Sequence, residues 1–375
     1  MPSPVLAPLL YEIFSSLTKV ELDNVDYWRN PELQPRGLAK LLEWVRERMV
    51  LPAQHLRFVD LKRYYPGHAA TTLAPVLEDL GGYERTYALI ETPECRALLL
   101  KLIAFRSLTN RFVRLPQNTP EYRRLRRKLE HGAFRDRSLP PLKTAGFLLW
   151  MYDLDAAGFP MRLWAHPMNV LNTFLLQQYR CRRQPASVFV RPGDLVIDGG
   201  GGWGDTALYF AQSSGVAGRI FSFEFLPENI AVVQKNLALN LQLGERVEVI
   251  QKALWERSRE RLGFTSLGPG TSLIEGARDS GSAETVTIDD FVHERGLDRV
   301  DFIKLDIEGA ELEALRGAKA SLRRFRPRLA ISVYHKPNDL VTIPQFIDSL
   351  GLGYRQFLDH FTMHNEETVL FADPA

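Results

Sequence analysis

The stretch Leu195-Val196-Ile197-Asp198-Gly199-Gly200-Gly201-Gly202-Trp203-Gly204-Asp205-Thr206 leaves few folds open to this chain. Three apolar residues predict a buried strand. An acid and four glycines predict a tight turn, and residues 203–210 the helix that follows. A strand, a glycine turn and a helix in that order open a doubly wound α/β domain, whose ligand lies outside the carboxyl end of the strand. Glycine suits the turn because a side chain would hold the backbone away from the ligand.

Two ligand classes compete for such a turn. Gly199, Gly201 and Gly204 satisfy G-x-G-x-x-G, and Glu224 stands at the distance of a ribose-binding acid, as in a dinucleotide site. Asp198 argues against it. A pyrophosphate needs positive potential from backbone N–H groups and a helix N-terminus, and a carboxylate beside the turn opposes it. A cationic ligand suits Asp198 better, and S-adenosylmethionine carries a sulfonium and an ammonium group. An NAD(P)-dependent oxidoreductase and a non-catalytic S-adenosylmethionine-binding module stand as alternatives to an enzyme that uses the sulfonium.

Composition narrows the class. The 375 residues suffice for a large domain and a smaller one, and 45% hydrophobic with 25% charged residues is ordinary for a globular protein. A net charge of +2 gives no global field for nucleic acid or a membrane surface. Cys95 and Cys181 lack metal-ligand spacing and fit a reducing, cytoplasmic setting. The first residues lack the basic region of a signal peptide, and no apolar run reaches membrane-spanning length. The oligomeric state is left open.

Residues 1–140 read as a helical N-terminal domain, with helical spacing at Leu38, Leu41, Leu42, Val45 and Met49 and over 72–80 and 94–108, the last two separated by Gly81-Gly82. The basic run at 122–129 reads as a solvated helix face with Tyr122, Leu125 and Leu129 inward; His55, His68 and His131 read as surface or packing residues. Pro140-Pro141 marks a boundary. Residues 141–190 form a connecting or lid segment, aromatic at 147–152 and 163–164, with a helical pattern over 170–179. The remaining domain, 191–375, alternates strand and helix: strands at 195–197, 219–224, 247–250, 300–305 and 329–334, helices at 227–240, 311–323 and 344–350. An insertion holds a short strand at 262–264 and a loop at 268–272. Residues 354–358 and 368–371 predict a closing hairpin. The expected fold class is therefore α/β, a Rossmann-like, mostly parallel sheet of the class I methyltransferase type with a C-terminal antiparallel hairpin.

Candidate chemistry gathers at the carboxyl ends of these strands. Glu224 is placed to accept hydrogen bonds from both ribose hydroxyls, and the backbone around Ala253 to meet an adenine. Lys304 and Asp306 share one side of their strand, and Glu308 follows just past its end. These groups can orient a hydroxyl, take its proton, or hold a divalent cation. His335 ends the fifth strand, and an unperturbed imidazole suits a general base. His360 and His364 are weaker candidates for that role.

Residues 196–211, Phe223-Glu224-Phe225 with Pro227 and Asn229, 301–311, Tyr334-His335-Lys336-Pro337 and Glu367-Thr368-Val369-Leu370-Phe371 together resemble, in order, the motifs of the FkbM-type methyltransferase family. The resemblance covers roughly 145–373 and implies S-adenosylmethionine-dependent O-methylation of a hydroxyl, often on a sugar or glycosylated small molecule. It places Asp198, Gly199 and Gly200 at the cofactor turn and Glu224 at the ribose, with Trp203, Asp205, Thr206 and Ala253 completing the expected cofactor site. Asp306, Glu308 and His335 fall at the reaction edge. A saccharide or small-molecule acceptor is expected, without nucleic acid or a membrane span.

Overall fold

The computed structural model describes residues 3–17, 74–108, 112–186, 188–264, 273–274 and 281–374. The helical spacing at 38–49, His55, His68 and the loop at 268–272 lie outside the described residues. The chain forms two compact units, one of residues 1–120 with 362–366, the other of 121–361 with 367–375, so Pro140-Pro141 falls within the larger unit.

The smaller unit is helical, with α1 (Leu6–Leu17), α2 (Leu80–Leu89) and α3 (Pro93–Leu108) as its longest described elements. Gly81-Gly82 does not separate two helices; both residues lie in the first turn of α2, where the Asp79 carboxylate accepts the Gly82 N–H at 3.2 Å. A cap of this kind satisfies an N–H that no helical carbonyl reaches, which offsets the low helix propensity of glycine. Leu98, Leu99, Leu102 and Ile103 of α3 are buried, as is Cys95. Lys101 pairs with Glu12 of α1 at 3.4 Å.

The larger unit carries α4 (Pro120–Glu130, its first residue belonging to the smaller unit) and three sheets. On α4, Tyr122 and Leu129 are buried while Arg124, Arg127 and Lys128 are exposed, as an amphipathic helix requires. Strands β1 (Leu142–Thr144), β2 (Phe147–Asp153) and β3 (Arg162–Ala165) make an antiparallel meander. The central sheet contains β4 (Leu195–Gly199), β5 (Arg219–Phe223), β6 (Val247–Ile250), β11 (Phe302–Leu305), β12 (Arg328–Ser332), β13 (Tyr354–His360) and β14 (Thr368–Pro374). Its order is β13-β14-β12-β11-β4-β5-β6, parallel except for the last hairpin. The third sheet, β7 (Ala253–Leu254), β8 (Arg261–Phe264), β9 (Leu273–Ile274) and β10 (Ser282–Val286), forms from the insertion and its flanks. Parallel strands need crossovers, here α5 (Asp205–Ser214) after β4, α6 (Pro227–Leu239) after β5 and α7 (Ile288–Glu294) before β11.

Val196, Ile197, Phe302, Ile303, Leu305, Leu329 and Ile331 are fully buried. Continuous apolar strands of this kind are what a parallel sheet covered on both faces demands. Two helix boundaries differ from expectation. The helix expected over 311–323 is two, α8 (Glu311–Arg316) and α9 (Lys319–Phe325), because Gly317-Ala318 ends the first and starts the second. The helix expected from Pro344 starts earlier, as α10 (Asp339–Ser349), where the Asp339 carboxylate accepts the Lys336 N–H at 2.6 Å. The proline sits inside it, tolerated because its fixed φ is helical even though it donates no hydrogen bond.

Candidate active site

The glycine turn is held from below by the side chains of Lys304 and Asp198. Lys304, on β11, is 1% exposed and donates from Nζ to the carbonyls of Gly199 at 2.9 Å and Gly200 at 2.7 Å. The same ammonium stands 3.1 Å from Asp198 Oδ1 and 5.3 Å from the centre of the Tyr179 ring. Burial alone would depress the lysine, but the charges of Asp198 and Asp306 outweigh it and its pKa rises. Asp198 Oδ2 accepts from Thr206 Oγ1 and Ser222 Oγ, each at 2.9 Å. The Asp198 carboxylate is thus consumed by protein groups and does not line the cavity above the turn, so its charge is balanced before any ligand arrives. This corrects the sequence argument that Asp198 itself selects a cationic ligand.

That cavity, about 210 Å³, opens where β4, β5 and β11 end. Gly200 has φ +81, and a Cβ on it would collide with the Asp306 carbonyl, so the glycine there serves the approach of two backbone segments. Gly202 lines the cavity with φ +50, and a Cβ on it would meet no atom within 4 Å. Gly199 lies deeper and is not part of the lining. Trp203 also faces elsewhere: at 1% exposure it packs with Leu149 and Val232, and Phe147 meets its ring edge-on at 5.5 Å. Large apolar rings gain more from this burial than from a polar cavity wall, and Phe147 and Trp164 join the same cluster rather than forming a lid.

Asp205 and Thr206 line the cavity. Asp205, the first residue of α5, accepts from Asn169 Nδ2 at 3.1 Å and Thr173 Oγ1 at 2.7 Å. Those two residues belong to 168–179, which supplies one wall of the cavity and contains a π-helical turn at Val170–Leu175 where a regular helical pattern was expected. At β5, Glu224 Oε1 accepts the N–H groups of Phe225 at 2.7 Å and Leu226 at 2.8 Å, and Oε2 accepts Asn229 Nδ2 at 3.0 Å. Burial raises the Glu224 pKa against these hydrogen bonds. A carboxylate has about four acceptor sites, so three bonds leave room for one ribose hydroxyl rather than both. Ala253, 3% exposed, lines the cavity with Leu254.

The other end of the cavity is acidic. Asp306 accepts from the phenols of Tyr179 at 2.7 Å and Tyr334 at 3.2 Å. Burial pushes its pKa up, yet the charges of His335 and Lys304 prevail and hold it below the ordinary carboxylate value. Glu308, with a side chain 30% exposed, lines the cavity in a left-handed backbone conformation, φ 56. A non-glycine residue held there is strained by roughly 1–3 kcal/mol, a cost concentrated at functional sites.

His335 does not line the cavity. Its side chain is 8% exposed, with Nδ1 2.9 Å from Glu311 Oε1 and Nε2 3.5 Å from Asp306 Oδ1 and 3.4 Å from Glu308 Oε2. Burial opposes its charge, but Glu311, Asp306 and Glu308 overcome this and raise the pKa to about 10. At neutral pH the ring is an imidazolium with no lone pair to offer. An imidazolium cannot act as the general base expected of His335 from the sequence. His360 is also engaged, its Nδ1 lying 2.9 Å from Thr368 Oγ1.

Sequence reasoning missed Tyr179, Gln178, Asn172 and Glu367, all in the lining. No spacing rule finds them, because they reach the cavity from the segment before β4 and from the final hairpin. Lys304 carried a signal, a lysine inside an apolar strand, but its target was not legible.

The parallel sheet with an antiparallel closing hairpin, a glycine turn after β4 and an acid after β5 defines the fold class: a Rossmann-like sheet of the class I methyltransferase type. Residues 187–356 match the Methyltransferase FkbM domain. The chain is 26% identical over 166 residues to the 2-O-methyltransferase NoeI of Sinorhizobium fredii, an alignment covering 39% of this chain and 66% of NoeI. Its fold resembles the crystal structure of an FkbM methyltransferase from Methylobacillus flagellatus KT, with a TM-score of 0.52, 18% identity, and coverage of 80% of this chain and 60% of that one. The chain thus spans somewhat less than two thirds of each relative. Among the described residues no helix is long and apolar enough to cross a membrane.

Proposed function

We propose that this chain moves the methyl group of S-adenosylmethionine to a hydroxyl of a saccharide or glycosylated small molecule. One observation carries the reading: the glycine turn, Glu224 and the pair Asp306 and Glu308 line a single cavity at the carboxyl edge of the sheet. The name of NoeI puts the methyl group on oxygen, which supports an oxygen acceptor here. We also place the chain in the cytoplasm, on the strength of two free cysteines.

The cavity fits the cofactor on its own chemistry. Gly202 presents bare backbone to it, Glu224 keeps one acceptor site, and the buried Asn229 Oδ1 has no hydrogen-bond partner among the described residues. Gly200, Gly202, Asp205 and Thr206 would hold the amino-acid end, Glu224 the ribose, and Ala253 with Leu254 the adenine. When bound, S-adenosylmethionine supplies a methyl group on a positively charged sulfur.

Glu308 takes the proton of the acceptor hydroxyl as the new C–O bond forms and the C–S bond breaks. Asp306, oriented by Tyr179 and Tyr334, aligns the hydroxyl. The His335 imidazolium positions both carboxylates. Holding the reactants in line supplies much of the rate. Asp306, Glu311 and His335 also offer ligand atoms within 4.8 Å of one another, enough to hold a divalent cation. The imidazole can ligate only after losing the proton these acids retain, so we assign the cation no step.

Calorimetry with S-adenosylmethionine, S-adenosylhomocysteine and NADH tests the cofactor: both sulfur ligands bind and NADH does not. Glu308→Gln then lowers methyl transfer about 10²- to 10⁴-fold with cofactor affinity retained, and a chelator leaves turnover unchanged. Binding of NADH alone overturns the proposal.

A further inference from the structure

We infer that Asn172 and Gln178 form a subsite that reads a vicinal diol beside the reacting hydroxyl of the acceptor, an inference that rests on the methyltransferase reading above. Both residues lie in the wall that precedes residue 187, outside the stretch that matches the family. This wall differs in backbone from the sheet it faces. At the π-helical turn the Leu176 N–H donates to the Leu171 carbonyl at 2.8 Å, five residues back. Gln177 then adopts a left-handed conformation, φ 52. The chain doubles back, and the Gln178 N–H donates to the Asn172 carbonyl at 3.0 Å. A single π turn and a left-handed non-glycine residue both carry a conformational cost, and both recur at functional sites. Here they bring two carboxamides to one side of one cavity.

The carboxamides are buried with unmet hydrogen-bonding capacity. Asn172 is 5% exposed and Gln178 is 4% exposed. Gln178 Nε2 donates to Glu367 Oε2 at 3.1 Å, while Gln178 Oε1 and Asn172 Oδ1 have no hydrogen-bond partner among the described residues. Leaving a buried acceptor unmet costs about 1–3 kcal/mol, so these oxygens are matched to a donor that the ligand brings.

The position favours the acceptor over the cofactor. Gln178 precedes Tyr179, whose phenol donates to Asp306; its own carboxamide donates to Glu367, and its N–H ties Asn172 to the same stretch of wall. A carboxamide presents an acceptor oxygen and donor hydrogens side by side, and each hydroxyl both donates and accepts. Two carboxamides therefore match two hydroxyls on adjacent carbons, as in sugars and other polyols. A monohydroxylic alcohol leaves them unmet and is rejected on that ground.

Saturation-transfer NMR on the full chain with S-adenosylhomocysteine tests this, using methyl β-D-glucopyranoside, methyl α-D-mannopyranoside and trans-1,2-cyclohexanediol against cyclohexanol. At least one diol binds and cyclohexanol does not. Asn172→Leu and Gln178→Leu each weaken that diol about 3- to 10-fold. Calorimetric affinity for S-adenosylhomocysteine stays unchanged in both variants, which also reports that they fold. The isosteric Asn172→Asp keeps the acceptor oxygen and weakens the diol less than Asn172→Leu. The inference is overturned if no diol binds, if cyclohexanol binds equally, or if the leucine variants lose S-adenosylhomocysteine in the same proportion. Failure of the unmodified chain to bind S-adenosylhomocysteine at all defeats the methyltransferase reading instead.

Discussion

The two ends of the cavity follow opposite electrostatic rules. Beneath the glycine turn the buried charges are matched: the Lys304 ammonium meets one carboxylate and two carbonyls, and Asp198 receives two hydroxyls besides. At the reaction end three carboxylates surround one imidazolium, and Glu308 sits in a strained backbone conformation. The first arrangement ties the turn to β11 and β5 through protein groups alone. The second gathers three carboxylates around one imidazolium and holds Glu308 in a strained backbone conformation.

The largest expected effect strikes the frame. Gly200→Ala puts a methyl group against the Asp306 carbonyl in a left-handed conformation, so S-adenosylhomocysteine binding is lost in calorimetry. Gly202→Ala, with the same sign of φ but no neighbour within 4 Å, costs stability of about 1 kcal/mol. Equal losses of stability in denaturant titrations would show that backbone approach at Gly200 is not what sets the turn.

Removing the central cation comes next. Lys304→Met leaves Asp198, 0% exposed, without its counter-charge, and denaturant unfolding loses about 3–5 kcal/mol. Adding Asp198→Asn restores part of that loss. If Lys304→Met is neutral, the matched-charge account of this end is wrong.

The smallest and sharpest effect comes from His335→Gln. Loss of the imidazolium raises the pKa of the neighbouring carboxylates, so the acid limb of the pH–rate profile moves to higher pH, with kcat reduced about tenfold. Were His335 the base, that limb would instead disappear. Its folded pKa, about 10, lies above the unfolded value of 6.5. The stability it contributes is therefore complete below pH 6.5 and is lost as pH rises toward 10. The melting temperature of the unmodified chain falls more steeply across that window than that of His335→Gln.

Much of the fold was legible in the chain. The apolar run at 195–197, the mostly apolar 302–305, a glycine cluster and a hairpin pattern near the end suffice for the sheet, since strand burial and turn chemistry are local properties. The site was legible as far as topology carries it: Glu224, Ala253, Asp306 and Glu308 do end at the cavity, because the carboxyl edge of a parallel sheet gathers them. Trp203 was expected at the cofactor as part of the glycine-turn motif, and packing sends its ring to Leu149 and Val232.

The sequence by itself determined the order of strands and crossovers, the place of the turn, and the acids that follow β5 and β11. Only the tertiary structure decided what those charges do. Asp198 became part of the frame because Lys304, 106 positions later, reaches it across β11 and β4. His335 is held as an imidazolium because Asp306, Glu308 and Glu311 converge on its ring. Element formation depends on neighbours in sequence, whereas the protonation and orientation of a side chain depend on every charge within a few ångströms, and those charges are assembled only by folding.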